Sequence, residues 1–116
     1  MRVFLIAGEA SGDRLGAALM AGLKSLTDVT FSGIGGPLMQ SEGMSSLFPM
    51  DELSVVGIAE ILPKYMHLRR RLDQTVAAVL AEQPDVLITI DSPEFSLRVA
   101  RKVKAASRIR TVHYVA

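Results

Sequence analysis

The sequence contains no cysteine. That excludes a disulfide scaffold and a thiolate metal site, and it fits a reducing compartment. Charge of one sign is also lacking, because 13 lysines and arginines stand against 12 acids and leave a net charge of +1. No nucleic-acid partner is expected on this balance, and attraction to an anionic surface must come from local clustering. No apolar run approaches the roughly 18 to 20 residues needed to span a bilayer. Met1-Arg2 passes directly into an apolar run that lacks the h-region and small-residue cleavage site of a signal peptide. These absences predict a cytoplasmic protein, or one attached to a membrane surface. Internal repeats, low-complexity tracts and linkers are missing as well.

What is present is a chain of 116 residues, 49% hydrophobic and 22% charged, long enough for one domain with a real core. Met1 to Ala7 is an unbroken apolar run of the kind buried on both faces of a parallel sheet. It leads into Gly8-Glu9-Ala10-Ser11-Gly12-Asp13, which puts two carboxylates on a strand-to-helix turn. Ser11 is a candidate helix cap, and Gly8 and Gly12 allow close approach of a ligand. The glycine spacing is neither that of a dinucleotide fingerprint nor that of a P-loop, and no lysine follows. Alone, the loop indicates a ligand near a helix N-terminus or a purely structural turn.

Leu15, Leu19, Leu23 and Leu26 predict a helix from about Gly12 to Leu26, and Val29 to Gly33 a second strand. Gly33-Ile34-Gly35-Gly36-Pro37 is a second tight loop, with Pro37 opening a short helix that ends at Glu42 and Gly43. Ser45 to Phe48 reads as a short strand, whereas Pro49 to Leu62 has no clear period. A long helix follows from Pro63 to Gln83, with Leu68, Leu72, Val76 and Val79 on one face and Lys64, Arg69, Arg70 and Arg71 crowded near its start. Val86 to Ile90 is a clear strand, Asp91-Ser92-Pro93-Glu94 a third loop, and Phe95, Val99 and Val103 mark a helix ending near Ser107. Thr111 to Val115 is the last strand.

Strands alternating with helices specify an α/β fold, a Rossmann-like parallel sheet with helices on both faces. Right-handed crossovers bring the three unusual loops to one edge and hence to one cleft. Ser92-Pro93 reads as cap and first helical residue, leaving Asp91 at the strand tip as a candidate general base or as a helix cap. Glu9 and Asp13 admit the same two readings, and Glu94 suits a first-turn acid. His67 reads as a solvated helix residue and His113 as a satisfied core histidine; neither lies in a metal-ligand pattern. No D-x-D is present, so a metal-bridged sugar-nucleotide site has no visible basis, and no cofactor is expected. The apolar stretch Leu53 to Leu62 and the basic turns after it suit either an anionic bilayer surface or a core segment followed by a solvated face.

Four segments together resemble the bacterial lipid-A-disaccharide synthase family: Ala7 to Asp13, Gly33 to Met39, Ser54 to Leu62 and Ile90 to Phe95. The resemblance runs in register from Arg2 to Ala116. It implies an inverting glycosyltransferase of two Rossmann-like halves, which transfers a 2,3-diacylglucosamine from its UDP donor to the 6-hydroxyl of 2,3-diacylglucosamine 1-phosphate and releases UDP. Residues 1–116 would be the N-terminal, acceptor-side domain; the UDP-sugar-binding half would be absent, and the piece alone inactive. The resemblance implies Asp91 as base, with Glu9 or Asp13 as alternatives, and Gly8, Ser11, Gly12, Asp13, Gly35 and Gly36 at the substrate. It places Val56, Ile58, Ile61, Leu62, Arg69, Arg70 and Arg71 against lipid at the inner face of the inner membrane. Competing readings are a nucleotide-binding Rossmann module without transfer and another two-domain glycosyltransferase of the cell envelope.

Overall fold

A computed structural model describes residues 1–53 and 61–115, with the side chains at 61–65 and 93 outside that description. Strands β1 (Arg2–Ala7), β2 (Thr30–Ile34), β3 (Val86–Ile90) and β4 (Arg110–Tyr114) form a parallel sheet in the order β2-β1-β3-β4. Helices α1 (Ala10–Leu26), α2 (Pro37–Ser41), α3 (Ile61–Glu82) and α4 (Pro93–Ala106) connect them, and Met50–Leu53 forms a 3₁₀ turn. The expected Rossmann-like α/β sheet is therefore present.

Alternation along the central strands divides the core between the two sheet faces. Val3, Leu5, Ala7, Val86, Ile88 and Ile90 pack with Met20 of α1 and Met39 of α2. Phe4, Ile6 and Leu87 point the other way and pack with Leu72 and Val79 of α3 and with Val99 and Val103 of α4. Burying each of these large side chains contributes about 1.5 to 3 kcal/mol, so β1 and β3, apolar on both faces, anchor the sheet.

The helix expected from the leucine spacing is present as α1, with Gly12, Asp13, Gly16 and Met20 buried and Leu15, Leu19 and Leu23 packed at the flank. Small residues there let the helix approach Ala7 and Ile90 closely. Two expectations are corrected. First, Ser11 does not cap α1. The extended residue before the helix is Glu9, whose carbonyl accepts the Asp13 N–H at 2.9 Å, and Ser11 lies inside the first turn.

Second, Ser45 to Phe48 is not a strand. It makes one isolated bridge, Gly33 with Ser46, after which the Ser46 hydroxyl replaces the ladder by accepting from Gly35 N–H at 3.1 Å. Gly33 has φ of +141°, and a β-carbon there would collide with the Leu5 carbonyl. Only glycine allows β2 to pass β1 at that level before it bends into the loop.

Candidate functional site

The chain leaves β1 toward β2 on one side and returns to β3 on the other, which makes the carboxyl ends of β1 and β3 the topological switch point where open α/β sheets hold ligands. Their last residues, Ala7 and Ile90, are paired in register. Gly8-Glu9 and Asp91-Ser92 therefore emerge side by side. A β-carbon on Gly8 would fall 2.8 Å from the Ser92 β-carbon, so the absence of a side chain lets the two loops touch.

Asp91 and Ser92 both adopt left-handed backbone conformations, φ +46° and +43°. Such geometry in consecutive residues other than glycine costs about 1 to 3 kcal/mol each and concentrates at functional sites. The Asp91 N–H donates to the Tyr114 carbonyl at 2.9 Å, fixing the tip of β3 against β4 while the half-buried Asp91 side chain leaves the strand at the switch point. Ser92 is the residue before α4 but makes no side-chain cap bond, and neither does Glu9 before α1. Two helix N-termini thus start at adjacent strand ends without side-chain caps, and their dipoles favour an anion between them. Glu9 is exposed beside them, and Ser11 is exposed in the first turn of α1.

The second loop joins this cluster through Asp13, which is only 3% exposed. Its Oδ1 accepts N–H bonds from Gly36 and Met39, both at 2.9 Å, and its Oδ2 accepts from Leu38 at 3.0 Å. These are the donors that start α2, and Gly36, with no side chain, cannot cap them itself. The structure thus makes Asp13 and Gly36 a buried joint between α1 and α2, with Gly35 buried beside it and bonded to Ser46. Gly12, buried against Ala7 and Ile90, belongs to the same packing.

A clamp that sequence reasoning missed lies behind the loops. Glu52 accepts from Arg71 Nε at 3.0 Å and Nη2 at 3.1 Å and is hydrogen bonded to His67. These two partners, His67 first, hold the Glu52 carboxyl below the ordinary range. The Arg71 guanidinium also sits 4.7 Å from the Phe48 ring centre, and Phe48 meets Phe95 edge to face at 6.4 Å. His67 is therefore bound to a carboxylate rather than simply solvated. Arg71 turns inward, away from Arg69 and Arg70, which are exposed.

Thr89 Oγ1 lies 2.7 Å from His113 Nδ1, so His113 is a satisfied, half-buried histidine on β4. Glu94 stands in the first turn of α4. Val55, Val56 and Ile58 lie outside the described residues, as do the side chains of Ile61, Leu62 and Lys64. Among the described residues no cluster of His, Asp or Glu could hold a metal, and no helix is long and apolar enough to cross a membrane.

A protein-family model described as lipid-A-disaccharide synthetase matches residues 3–116. A lipid-A-disaccharide synthase from Ruegeria pomeroyi is 70% identical over 100% of this chain and 29% of its own length. Relatives of the same name from Pseudomonas fluorescens and Rhodospirillum centenum are 51% and 49% identical over 99% and 98% of the chain and 31% and 29% of their own lengths. The chain thus spans under a third of the curated relatives it matches. With one family model matching from the first strand to the last residue, and with such relatives at this identity, the chain belongs to the lipid-A-disaccharide synthetase family.

Proposed function

We propose that residues 1–116 form the N-terminal, acceptor-side domain of a lipid-A-disaccharide synthase, and that the UDP-sugar site lies in the remaining length of the relatives. The reaction is a hexosyl transfer from UDP-2,3-diacylglucosamine to 2,3-diacylglucosamine 1-phosphate. Asp91 is the observation that carries the reading: a carboxylate on a strained backbone at the switch point, between two helix N-termini without side-chain caps. It takes the proton from the acceptor 6-hydroxyl as that oxygen bonds to the anomeric carbon. The bond from that carbon to the UDP oxygen breaks, its electron pair leaves with UDP, and one displacement inverts the centre.

Positioned base catalysis contributes about 10² to 10⁴ in rate, provided both substrates share one cleft. Glu9, exposed at the start of α1, borders the acceptor, while Gly8 and Ser11 shape the rim. Asp13, Gly12, Gly35 and Gly36 support that rim from beneath through the Asp13 joint. Because both substrates carry acyl chains, the protein works as a peripheral protein at the cytoplasmic face of the inner membrane.

The test is a chimera in which this chain replaces the matching N-terminal part of the Ruegeria pomeroyi relative. Conversion of the two diacylglucosamine substrates to disaccharide with release of UDP supports the reading. A folded but inactive chimera contradicts it. The separate chain should show no saturable binding of UDP in calorimetry, and micromolar UDP affinity would overturn the division between the halves.

A further inference from the structure

The 3₁₀ turn Met50–Leu53 stands against two of the loops at the switch point. A β-carbon on Gly8 would lie 3.7 Å from Leu53 Cδ1 and 2.8 Å from Ser92 Cβ, so Leu53 sits beside the contact between those loops. A β-carbon on Gly36 would lie 3.0 Å from Met50 Cε and 2.6 Å from Asp13 Oδ2, so Met50 sits beside the Asp13 joint. None of the four residues of the turn is fully buried, and packing alone therefore grips it weakly. The grip comes from Glu52, between the two contacts. Its carboxylate accepts both Arg71 Nε and Arg71 Nη2 and is bonded to His67. A two-pronged pair of carboxylate and guanidinium fixes orientation as well as distance.

Arg71 is itself held from two sides. Its Nη1 donates to Gln74 Oε1 at 2.8 Å on its own helix, and its guanidinium packs on Phe48, which meets Phe95 in the first turn of α4. Glu52 thus ties the turn to the helix that begins just past Asp91 and Ser92. Leu53 is only half-buried, so it keeps an apolar edge beside Gly8 and Ser92. Ligand sites pair an apolar wall with a few polar groups that orient the ligand, and the C–H face of a sugar ring suits such a wall. We propose that Glu52 is a positioning residue for the transfer: it holds Leu53 as the apolar seat of the acceptor sugar, which brings the 6-hydroxyl to Asp91. Glu52 takes no part in the bond changes and acts through Leu53. The inference rests on the reading of Asp91 as the base of a hexosyl transfer.

The test is steady-state kinetics of the active chimera, with folded enzyme quantified by circular dichroism. Glu52→Gln keeps the shape and removes the charge that holds Arg71 and His67. Acceptor KM should rise and kcat should fall, each by about tenfold, with donor KM unchanged. Loss of folded protein alone would lower the apparent kcat and leave both KM values where they were. Leu53→Ala should raise acceptor KM to a similar extent, and adding Glu52→Gln to it should raise KM by less than about twofold more, since the seat is already gone. Asp85→Asn makes the same kind of change at the opposite end of the sheet, where Asp85 Oδ2 accepts the Arg2 N–H at 2.7 Å. It should leave acceptor KM within about twofold of the unmodified chimera. An unchanged acceptor KM in Glu52→Gln, full additivity with Leu53→Ala, or an equal shift in Asp85→Asn would overturn the inference and leave the role of Asp91 standing. If Glu52→Gln does not fold, an unchanged acceptor KM in Leu53→Ala overturns it equally. An inactive chimera would instead overturn the transfer reading and the inference with it.

Discussion

The Asp13 carboxylate in α1 accepts the Met39 N–H in α2 at 2.9 Å, and the same oxygen accepts from Gly36. A side chain in the first turn of one helix thereby caps the start of another. This joint ties the loop after β1 to the loop after β2 and fixes one wall of the switch-point cleft.

Replacing Asp13 with alanine strands these donors and should lower stability by about 2 to 4 kcal/mol in urea denaturation. Asparagine keeps the oxygen that serves Gly36 and Met39 but turns an amide toward the Leu38 N–H, so its cost should be intermediate. Unchanged stability in either variant, with a raised KM for the acceptor in the chimera, would make Asp13 a ligand group instead.

Gly8 and Ser92 give a paired test of the loop contact. Gly8→Ala pushes its new methyl group into the Ser92 side chain and should destabilise the domain by about 1 to 3 kcal/mol. Ser92→Gly removes that obstacle and suits the left-handed backbone, so the double variant should recover most of the loss. Additive effects of the two changes would mean the loops do not press on each other.

The sheet was legible in the sequence because β1 and β3 are buried on both faces, and such strands read as continuous apolar runs. The convergence of the three loops followed from crossover handedness alone. The Asp13 joint was hidden because its two sides are more than twenty residues apart, and acids near a helix start are favoured locally in any case. One signal was available: Gly36 before Pro37 begins a helix with no side chain to cap it, which calls for an acceptor from elsewhere. The Glu52 clamp depends on how Pro49 to Leu53 folds back on α3, and that stretch has no period to read. The leucine spacing gave α1 itself but not its buried face, since glycines carry no hydrophobic signal yet set the closest approach.

The Glu52 clamp should make stability depend on acid. Its carboxyl is held below the ordinary value of 4.5, so its contribution is fully present above that pH and is lost as pH falls below it through the folded-state value. Glu52→Gln should therefore be less stable than wild type at pH 7, with the gap closing as the pH is taken below about 4.5 in chemical denaturation. A gap that stays constant through this range would show that the carboxylate charge contributes nothing.

The central claim is that Asp91 removes the acceptor proton, and the most direct measurement is kcat of the active chimera with Asp91→Asn. Asparagine keeps the size and removes the basicity. In that variant kcat should fall by about 10² to 10⁴ with little change in acceptor KM, and the fold should be unchanged by circular dichroism. Turnover within a few fold of wild type would contradict it and would pass the role to Glu9, the exposed acid across the switch point.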